Sequence, residues 1–159
     1  MGGEIKSAVW TLDSAQAVID RHLGLDGPLL PILHALQTEF GFVPAAVTPL
    51  IASALNLSRA EVHGVISFYH DFRTEPAGRR VLKLCLGEAC QARGGRAIRS
   101  QVEQDLGISI GETTTDRSVT LEAVYCLGLC ASGPAALLDG APIGRLDVDR
   151  AAALAATLA

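Results

Sequence analysis

The sequence contains no Gly-x-Gly at any position, although it has 16 glycines. Closely spaced glycines let a backbone loop approach the phosphates of a nucleotide. Because the sequence has no Gly-x-Gly, it has no dinucleotide fingerprint, and we expect no phosphate-binding loop. We therefore expect any nucleotide that the function requires to bind elsewhere than on this chain.

An excess of positive charge is also absent. The chain has 13 Lys and Arg against 17 Asp and Glu, which gives a formal net charge of −4. A protein that binds nucleic acid through its backbone phosphates usually carries a basic face. We therefore expect no nucleic-acid partner.

No segment has the character of a membrane span. The longest stretch without a charge, Phe40–Ser58, is nearly long enough, but it is interrupted by Pro44, Thr48, Pro49, Ser53 and Asn56. It favours a loop followed by an amphipathic helix. The N-terminal residues also lack the charged, apolar and small-residue order of a secretory signal. We expect a soluble, cytoplasmic protein that does not bind a membrane.

Cysteine is scarce and clustered. The four cysteines all lie in the second half of the chain, as Cys85, Cys90, Cys126 and Cys130. In a secreted protein they would suggest two disulfides, whereas in a reducing cytosol clustered thiols are more often metal ligands or redox centres.

The first half of the chain has helical periodicity. After an irregular start at residues 1–10, helices are predicted from Asp13 to about Leu23, from Pro28 to Phe40, over residues 47–55, and from Ser58 to about Tyr69. Ser58 and Glu61 form a capping box at the start of the last one. We expect residues 1–77 to form an N-terminal helical bundle.

From Arg79 onward the spacing of apolar residues changes from helical to alternating, as in β-strands. The segment at 81–87 predicts a strand that ends at Cys85, and 118–126 predicts a second strand that ends at Cys126, with a helix at 94–107 between them. Residues 135–146 predict a hairpin with an Asp-Gly turn, and the remaining residues predict a final helix. We expect residues 78–159 to form an α/β domain with a mixed sheet, which makes the whole chain α+β.

The two cysteine pairs are expected to meet at one edge of the sheet. The strand, helix, strand order predicts two parallel strands, whose carboxyl ends lie at the same edge. Four thiols there could hold a zinc ion, form redox disulfides or bind an iron–sulfur cluster. Zinc sites and thioredoxin-type centres both favour Cys-x-x-Cys, which neither pair has. The wider gaps suit a [2Fe–2S] cluster, and Gly87 and Gly128 could turn backbone N–H groups toward sulfur.

The cysteine pattern resembles a known family. Cys85-x4-Cys90, a gap of thirty-five residues and Cys126-x3-Cys130 are similar to the thioredoxin-like [2Fe–2S] ferredoxins. That family includes the two-iron, flavoprotein-associated subunit of respiratory complex I and its relatives in NAD-linked hydrogenases and formate dehydrogenases. The segments PILHALQTEFGFVP, EVHGVISFYHDFRTEPAG and VYCLGLCASGPAALLDG extend the resemblance over most of the chain. Within the family, LCLGEACQARGG and YCLGLCASGPA most resemble the gamma subunit of NAD-dependent, molybdenum-containing formate dehydrogenase.

The resemblance implies a cofactor and partners. It implies a thioredoxin-like fold for the second domain, with Cys85, Cys90, Cys126 and Cys130 holding one [2Fe–2S] cluster. It implies an electron-transfer subunit beside a flavoprotein subunit that carries FMN, NAD(H) and a [4Fe–4S] cluster, in a complex whose large molybdenum subunit oxidises formate. The isolated chain would carry electrons without catalysing a reaction. The same resemblance keeps a complex I or hydrogenase subunit as alternatives, and a zinc-stabilised interaction module remains the alternative from a different class.

Other residues are given subsidiary roles. The histidines, His22, His34, His63 and His70, all lie in the helical half and are expected to be helix-surface or interface residues. Phe68 and Tyr69 are expected in the core or at an interface. Eight of the 13 basic residues lie between Arg59 and Arg99. Of these, Arg93 and Arg96 follow the first cysteine loop and are candidates for tuning a cluster's potential or for docking.

Overall fold

The computed structural model describes residues 10–158, which fall into two compact units. One unit ends at Pro76 and the other begins at Ala77. The irregular start predicted at residues 1–10 lies, apart from Trp10, outside the described residues.

The first unit is helical. Its helices are α1 (Leu12–Asp20), α2 (Leu29–Phe40), α3 (Thr48–Leu55) and α4 (Arg59–Phe68), with a 3₁₀ turn at Ala45–Val47 before α3. The four helices enclose one apolar core, whose largest fully buried side chains are Val18, Ile19, Ile32, Leu33, Leu36, Phe40, Val43, Val47, Ile51 and Val62. In α2 the buried residues Ile32, Leu33, Leu36 and Phe40 recur with the helical spacing from which this helix was predicted.

Helix ends in this unit follow local capping chemistry. The predicted capping box of α4 is confirmed: the Ser58 hydroxyl accepts from the Glu61 N–H, and the Glu61 carboxylate accepts from the Ser58 N–H. The start predicted at Asp13 is wrong, because Thr11 is the N-cap of α1 and exchanges hydrogen bonds with Ser14. That helix also ends at Asp20, before the predicted Leu23.

The second unit contains a four-stranded mixed sheet. Its strands are β1 (Arg80–Cys85), β2 (Val119–Val124), β3 (Ala136–Leu138) and β4 (Ala141–Ile143), in the order β2-β1-β3-β4. Helices α5 (Glu88–Gln91) and α6 (Gly95–Leu106) lie between β1 and β2, and α7 (Val148–Ala156) ends the unit. The predicted α+β class is confirmed.

Strand pairing matches the predicted topology. β1 and β2 are parallel, with Cys85 opposite Val124, whereas β3 is antiparallel to both β1 and β4. The β3–β4 hairpin turns through Asp139 and Gly140, both with positive φ, which is the backbone that an Asp-Gly hairpin turn requires. The apolar side of the sheet packs against α6 and α7. This core includes Leu82 and Leu121 from the strands, Val102 from α6 and Ala151 from α7.

The free side of β2 is occupied by the chain just before it. Gly111 donates its N–H to the Leu121 carbonyl at 2.7 Å, and the Leu121 N–H returns to the Glu112 carbonyl at 3.0 Å. Thr114 likewise donates to the Val119 carbonyl at 2.9 Å. Residues 111–114 thus cover the outer edge of β2 along residues 119–121.

None of the helices within residues 10–158 combines the length and the apolar character needed to cross a bilayer. The cytoplasmic location stays a prediction.

Candidate metal centre

Both cysteine loops begin at the carboxyl ends of β1 and β2. Cys85 is the last residue of β1, and its N–H donates to the Ala135 carbonyl at 3.0 Å. β2 ends at Val124, two residues before Cys126, so the strand predicted to reach that cysteine is shorter than expected. The Leu86 N–H donates to the Val124 carbonyl at 2.7 Å, which holds the two loop origins side by side.

Short helical turns carry the second cysteine of each pair. Cys90 lies within α5, where its N–H donates to the Gly87 carbonyl at 2.9 Å. Cys130 opens a 3₁₀ turn that ends at Ser132. Neither turn has an apolar repeat long enough to be recognised from the sequence.

Cys90 is the central thiol of the site. It is 2% exposed, and burial raises the pKa of its thiol above the ordinary value. A hydrogen bond with the Cys85 side chain and the charges of Cys85 and Cys130 also raise this pKa, while the backbone of Ala135 lowers it. These interactions bring three of the four predicted ligands, one of them from the second loop, into one neighbourhood.

The second loop is open to solvent. Cys126 and Cys130 are exposed, whereas Cys85 and Cys90 are buried. The described contact of Cys126 is with Gly128, whose N–H donates to its sulfur at 3.3 Å. Gly128 has φ of +70°, so this position favours glycine, and the predicted N–H directed toward sulfur is present there.

Two other glycines leave room beside the buried sulfurs. An ideal Cβ on Gly133 would lie 3.1 Å from the Cys90 sulfur. A Cβ on Gly87 would lie 3.6 Å from the Cys85 sulfur and 2.6 Å from the Tyr125 carbonyl oxygen. The backbone can therefore approach the thiols closely, which a thiolate-bound cofactor requires of its surroundings.

The donor set fits an iron–sulfur cluster. Four thiols in two loops supply the ligands that a [2Fe–2S] unit takes, Gly87 and Gly133 leave space beside the buried sulfurs, and the Gly128 N–H donates to the Cys126 sulfur. Within residues 10–158, no group of three or more His, Cys, Asp or Glu side chains is arranged to hold a single metal ion.

Arg93 joins the two loops. Its Nη1 donates to the Cys130 carbonyl at 3.1 Å and is 3.4 Å from the Ala131 carbonyl oxygen. Arg96, the other arginine singled out from the sequence, is exposed near the start of α6. The sequence placed Arg93 beside the first loop, but it gave no sign that the side chain reaches the second.

The histidines belong to the helical unit. The His22 Nδ1 lies 2.8 Å from the Val18 carbonyl oxygen, and the His34 ring contacts Phe72 with centroids 5.0 Å apart. His34, His63 and His70 are exposed, as expected of surface residues. Phe68 and Tyr69 are 72% and 44% exposed, so a place in the core is wrong for both.

Comparison with known proteins identifies the family. A family model described as thioredoxin-like [2Fe-2S] ferredoxin matches residues 15–159, which include all four cysteines. The chain belongs to this family. Its second unit accordingly has the expected thioredoxin-like fold, and its cofactor is a [2Fe–2S] cluster.

Several relatives of this ferredoxin are subunits of oxidoreductases. An NADH-quinone oxidoreductase subunit of Rhizobium meliloti (strain 1021) is 35% identical over 142 residues, 89% of this chain and 84% of that protein. NADP-reducing hydrogenase subunit HndA of Solidesulfovibrio fructosivorans is 33% identical over 109 residues, 69% of this chain and 64% of that protein.

A solved structure shares the fold. The crystal structure of NAD⁺-reducing [NiFe]-hydrogenase in the air-oxidized state matches with a TM-score of 0.67 and 28% identity. The match covers 82% of this chain but 22% of the hydrogenase chain. This ferredoxin thus corresponds to one part of that larger chain.

Proposed function

We propose that the chain is the electron-transfer subunit of an NAD-linked oxidoreductase, in which Cys85, Cys90, Cys126 and Cys130 hold the [2Fe–2S] cluster. The observation that carries this proposal is the meeting of two cysteine loops at the carboxyl ends of parallel β1 and β2, where the Leu86 N–H donates to the Val124 carbonyl at 2.7 Å. This edge is where α/β sheets commonly build their sites.

The chain's own residues give the cluster its surroundings. When bound, the cluster supplies reversible one-electron transfer. Buried Cys85 and Cys90 anchor it to the sheet, and the Gly128 N–H offsets negative charge at the Cys126 sulfur. The exposed second loop leaves a side open to a redox partner.

We assign the cluster's partner to a flavoprotein subunit that carries FMN, NAD(H) and a [4Fe–4S] cluster. The absence of a nucleotide fingerprint in the chain agrees with nicotinamide binding elsewhere. The relatives' names, which refer to NADH-quinone oxidoreductase and hydrogenases, also support an NAD(P)-linked complex.

The complex we favour is an NAD-dependent formate dehydrogenase with a large molybdenum subunit. The support is the resemblance of the two cysteine loops, LCLGEACQARGG and YCLGLCASGPA, to its gamma subunit. Complex I and NAD-linked hydrogenase are the second candidates, because the relatives carry those names.

Purification of the tagged chain from its own cells tests both levels of the proposal. The chain itself should contain iron and acid-labile sulfide in equal amounts, with a paramagnetic signal after reduction. A colourless protein with stoichiometric zinc would instead support the interaction module.

The co-purified complex should contain FMN and molybdenum and reduce NAD⁺ with formate. Nickel with hydrogen-dependent activity, or membrane-bound quinone reductase activity, would overturn the formate assignment and leave the cluster assignment intact.

A further inference from the structure

Arg93 contacts the backbone of two proposed ligands, one in each loop. Its own N–H donates to the Cys90 carbonyl at 3.2 Å, and its Nη1 donates to the Cys130 carbonyl at 3.1 Å. The same nitrogen lies 3.4 Å from the Ala131 carbonyl oxygen. The main chain of Arg93 therefore belongs to the first cysteine turn while its side chain reaches the second.

The second loop has little internal support around Cys130. The Gly133 N–H donates to the Cys130 carbonyl at 3.3 Å, and the Ser132 N–H donates to the Leu129 carbonyl at 3.0 Å. Cys130 itself is exposed, so burial does little to hold it in place. A guanidinium suits this position, because its planar end holds one charged nitrogen, Nη1, within reach of two adjacent carbonyls.

The positive charge of Arg93 also lies beside the proposed cluster ligands. By counting ions, a cluster held by four thiolates has a charge of about −2 when oxidised and about −3 when reduced. A fixed positive charge nearby stabilises the more negative, reduced form. Its presence therefore raises the reduction potential.

We propose that Arg93 is a positioning residue for the cluster, which fastens the Cys130 loop to the Cys90 turn and raises the cluster's reduction potential. The proposal rests on the proposed ligand set. It separates Arg93 from Arg96, which the sequence alone treated alike.

Arg96 provides the matched control. It is exposed and lies three residues along the chain, and its side chain has no hydrogen bond or ion pair among those described for residues 10–158. Arg93→Gln and Arg96→Gln remove the same charge, but only the first removes the bridge between the loops. Arg93→Lys keeps the charge and loses the guanidinium fork.

The test uses the full-length chain with its cluster, measured by two readouts. A redox titration followed by visible absorbance gives the midpoint potential, and the loss of that absorbance in excess chelator gives the rate of cluster release. We expect Arg93→Gln to lower the midpoint potential and to release the cluster about fivefold faster. Arg93→Lys should retain a potential close to that of the wild type but release the cluster faster. Arg96→Gln should match the wild type in release rate and lower the midpoint potential less than Arg93→Gln does, because its side chain does not contact the Cys130 loop.

Results that differ from these expectations would overturn particular parts of the proposal. Wild-type potential and release rate in Arg93→Gln would overturn the positioning role, as would an equal change in Arg96→Gln. If Arg93→Gln does not fold, wild-type release from Arg93→Lys would overturn the fastening role by itself. If the wild-type chain contained no iron and sulfide, the proposed function would be overturned as well. If the wild-type chain held a normal cluster, a negative result with the Arg93 variants would overturn only the role of Arg93.

Discussion

The carbonyl oxygen of Tyr125 occupies the space in which residue 87 would carry a side chain. An ideal Cβ on Gly87 would lie only 2.6 Å from that oxygen, and the obstructing atom belongs to the backbone. Gly87 has φ of −63°, an ordinary value, so the requirement for glycine is one of space. The two cysteine loops approach each other this closely because one has no Cβ at the contact.

Gly87→Ala should therefore separate the loops and weaken cluster binding. We expect a destabilisation of about 1–3 kcal/mol, the usual cost of overpacking, together with reduced iron and sulfide per chain. Gly64→Ala is the control, because a Cβ there meets nothing within 4 Å and Gly64 lies within α4. That change should be neutral or stabilising by about 0.5–1 kcal/mol. Equal cluster content in both variants would contradict the steric argument.

Each of the four cysteines should be needed for a full cluster. Replacing Cys85, Cys90, Cys126 or Cys130 by Ala removes one iron–thiolate bond, which leaves an iron without its preferred ligand. Iron and acid-labile sulfide measured per chain should fall in all four variants. Full occupancy in any one would remove that residue from the ligand set.

The exposed aromatic end of α4 should contribute to docking. Phe68 is 72% exposed, and its ring contacts Tyr69 with centroids 5.1 Å apart. Apolar side chains so placed are typical of subunit interfaces. Phe68→Ser should reduce co-purification of the flavoprotein subunit while the cluster content stays constant. Leu12→Ser, at a residue 53% exposed in α1, provides a comparison. Undiminished co-purification with Phe68→Ser would assign docking to other residues.

The isolated chain should not catalyse the reaction of its complex. It has no Gly-x-Gly loop for a dinucleotide, and the family cofactor is a [2Fe–2S] cluster, which carries electrons but does not bind NAD⁺. Purified chain mixed with formate and NAD⁺ should form no NADH. Stoichiometric, tight binding of NADH in a calorimetric titration would refute this division of roles.

Asp116 should make the stability of the cluster-free chain depend on acid. Hydrogen bonds from Thr114 and Ser118, and then the charge of Arg79, lower the pKa of Asp116 from 3.8 to about 2. A carboxyl with a lowered folded pKa stabilises the fold above its unfolded pKa and loses that effect as the pH falls through the folded value. Chemical denaturation should show Asp116→Asn less stable than wild type at pH 5, with the difference shrinking toward pH 2. A stability difference between Asp116→Asn and wild type that stayed the same from pH 5 to pH 2 would contradict the lowered pKa of Asp116.

The sequence predicted those parts of the fold that depend on neighbouring residues. Ser58 and Glu61 are three positions apart, so their capping box could be recognised, and Asp139-Gly140 indicated a hairpin turn. Thr11 was missed because Ser14, rather than Glu or Gln, completes its box. The cysteine spacing suggested the cofactor. The reach of Arg93 to Cys130 and the approach of Gly87 to Tyr125 could not be predicted, because each joins segments far apart in sequence.

The strip of chain at residues 111–114 has a consequence for the unassembled subunit. Exposed strand edges are templates for intermolecular pairing and so for aggregation. On the outer side of β2, the N–H and carbonyl groups of Val119 and Leu121 are already bonded to Gly111, Glu112 and Thr114. At the opposite edge, β4 is three residues long and contains Pro142, which has no N–H to offer a neighbouring chain. Pairing with a second copy is therefore disfavoured along residues 119–121 of β2 and at β4, which lowers the tendency of the unassembled chain to aggregate.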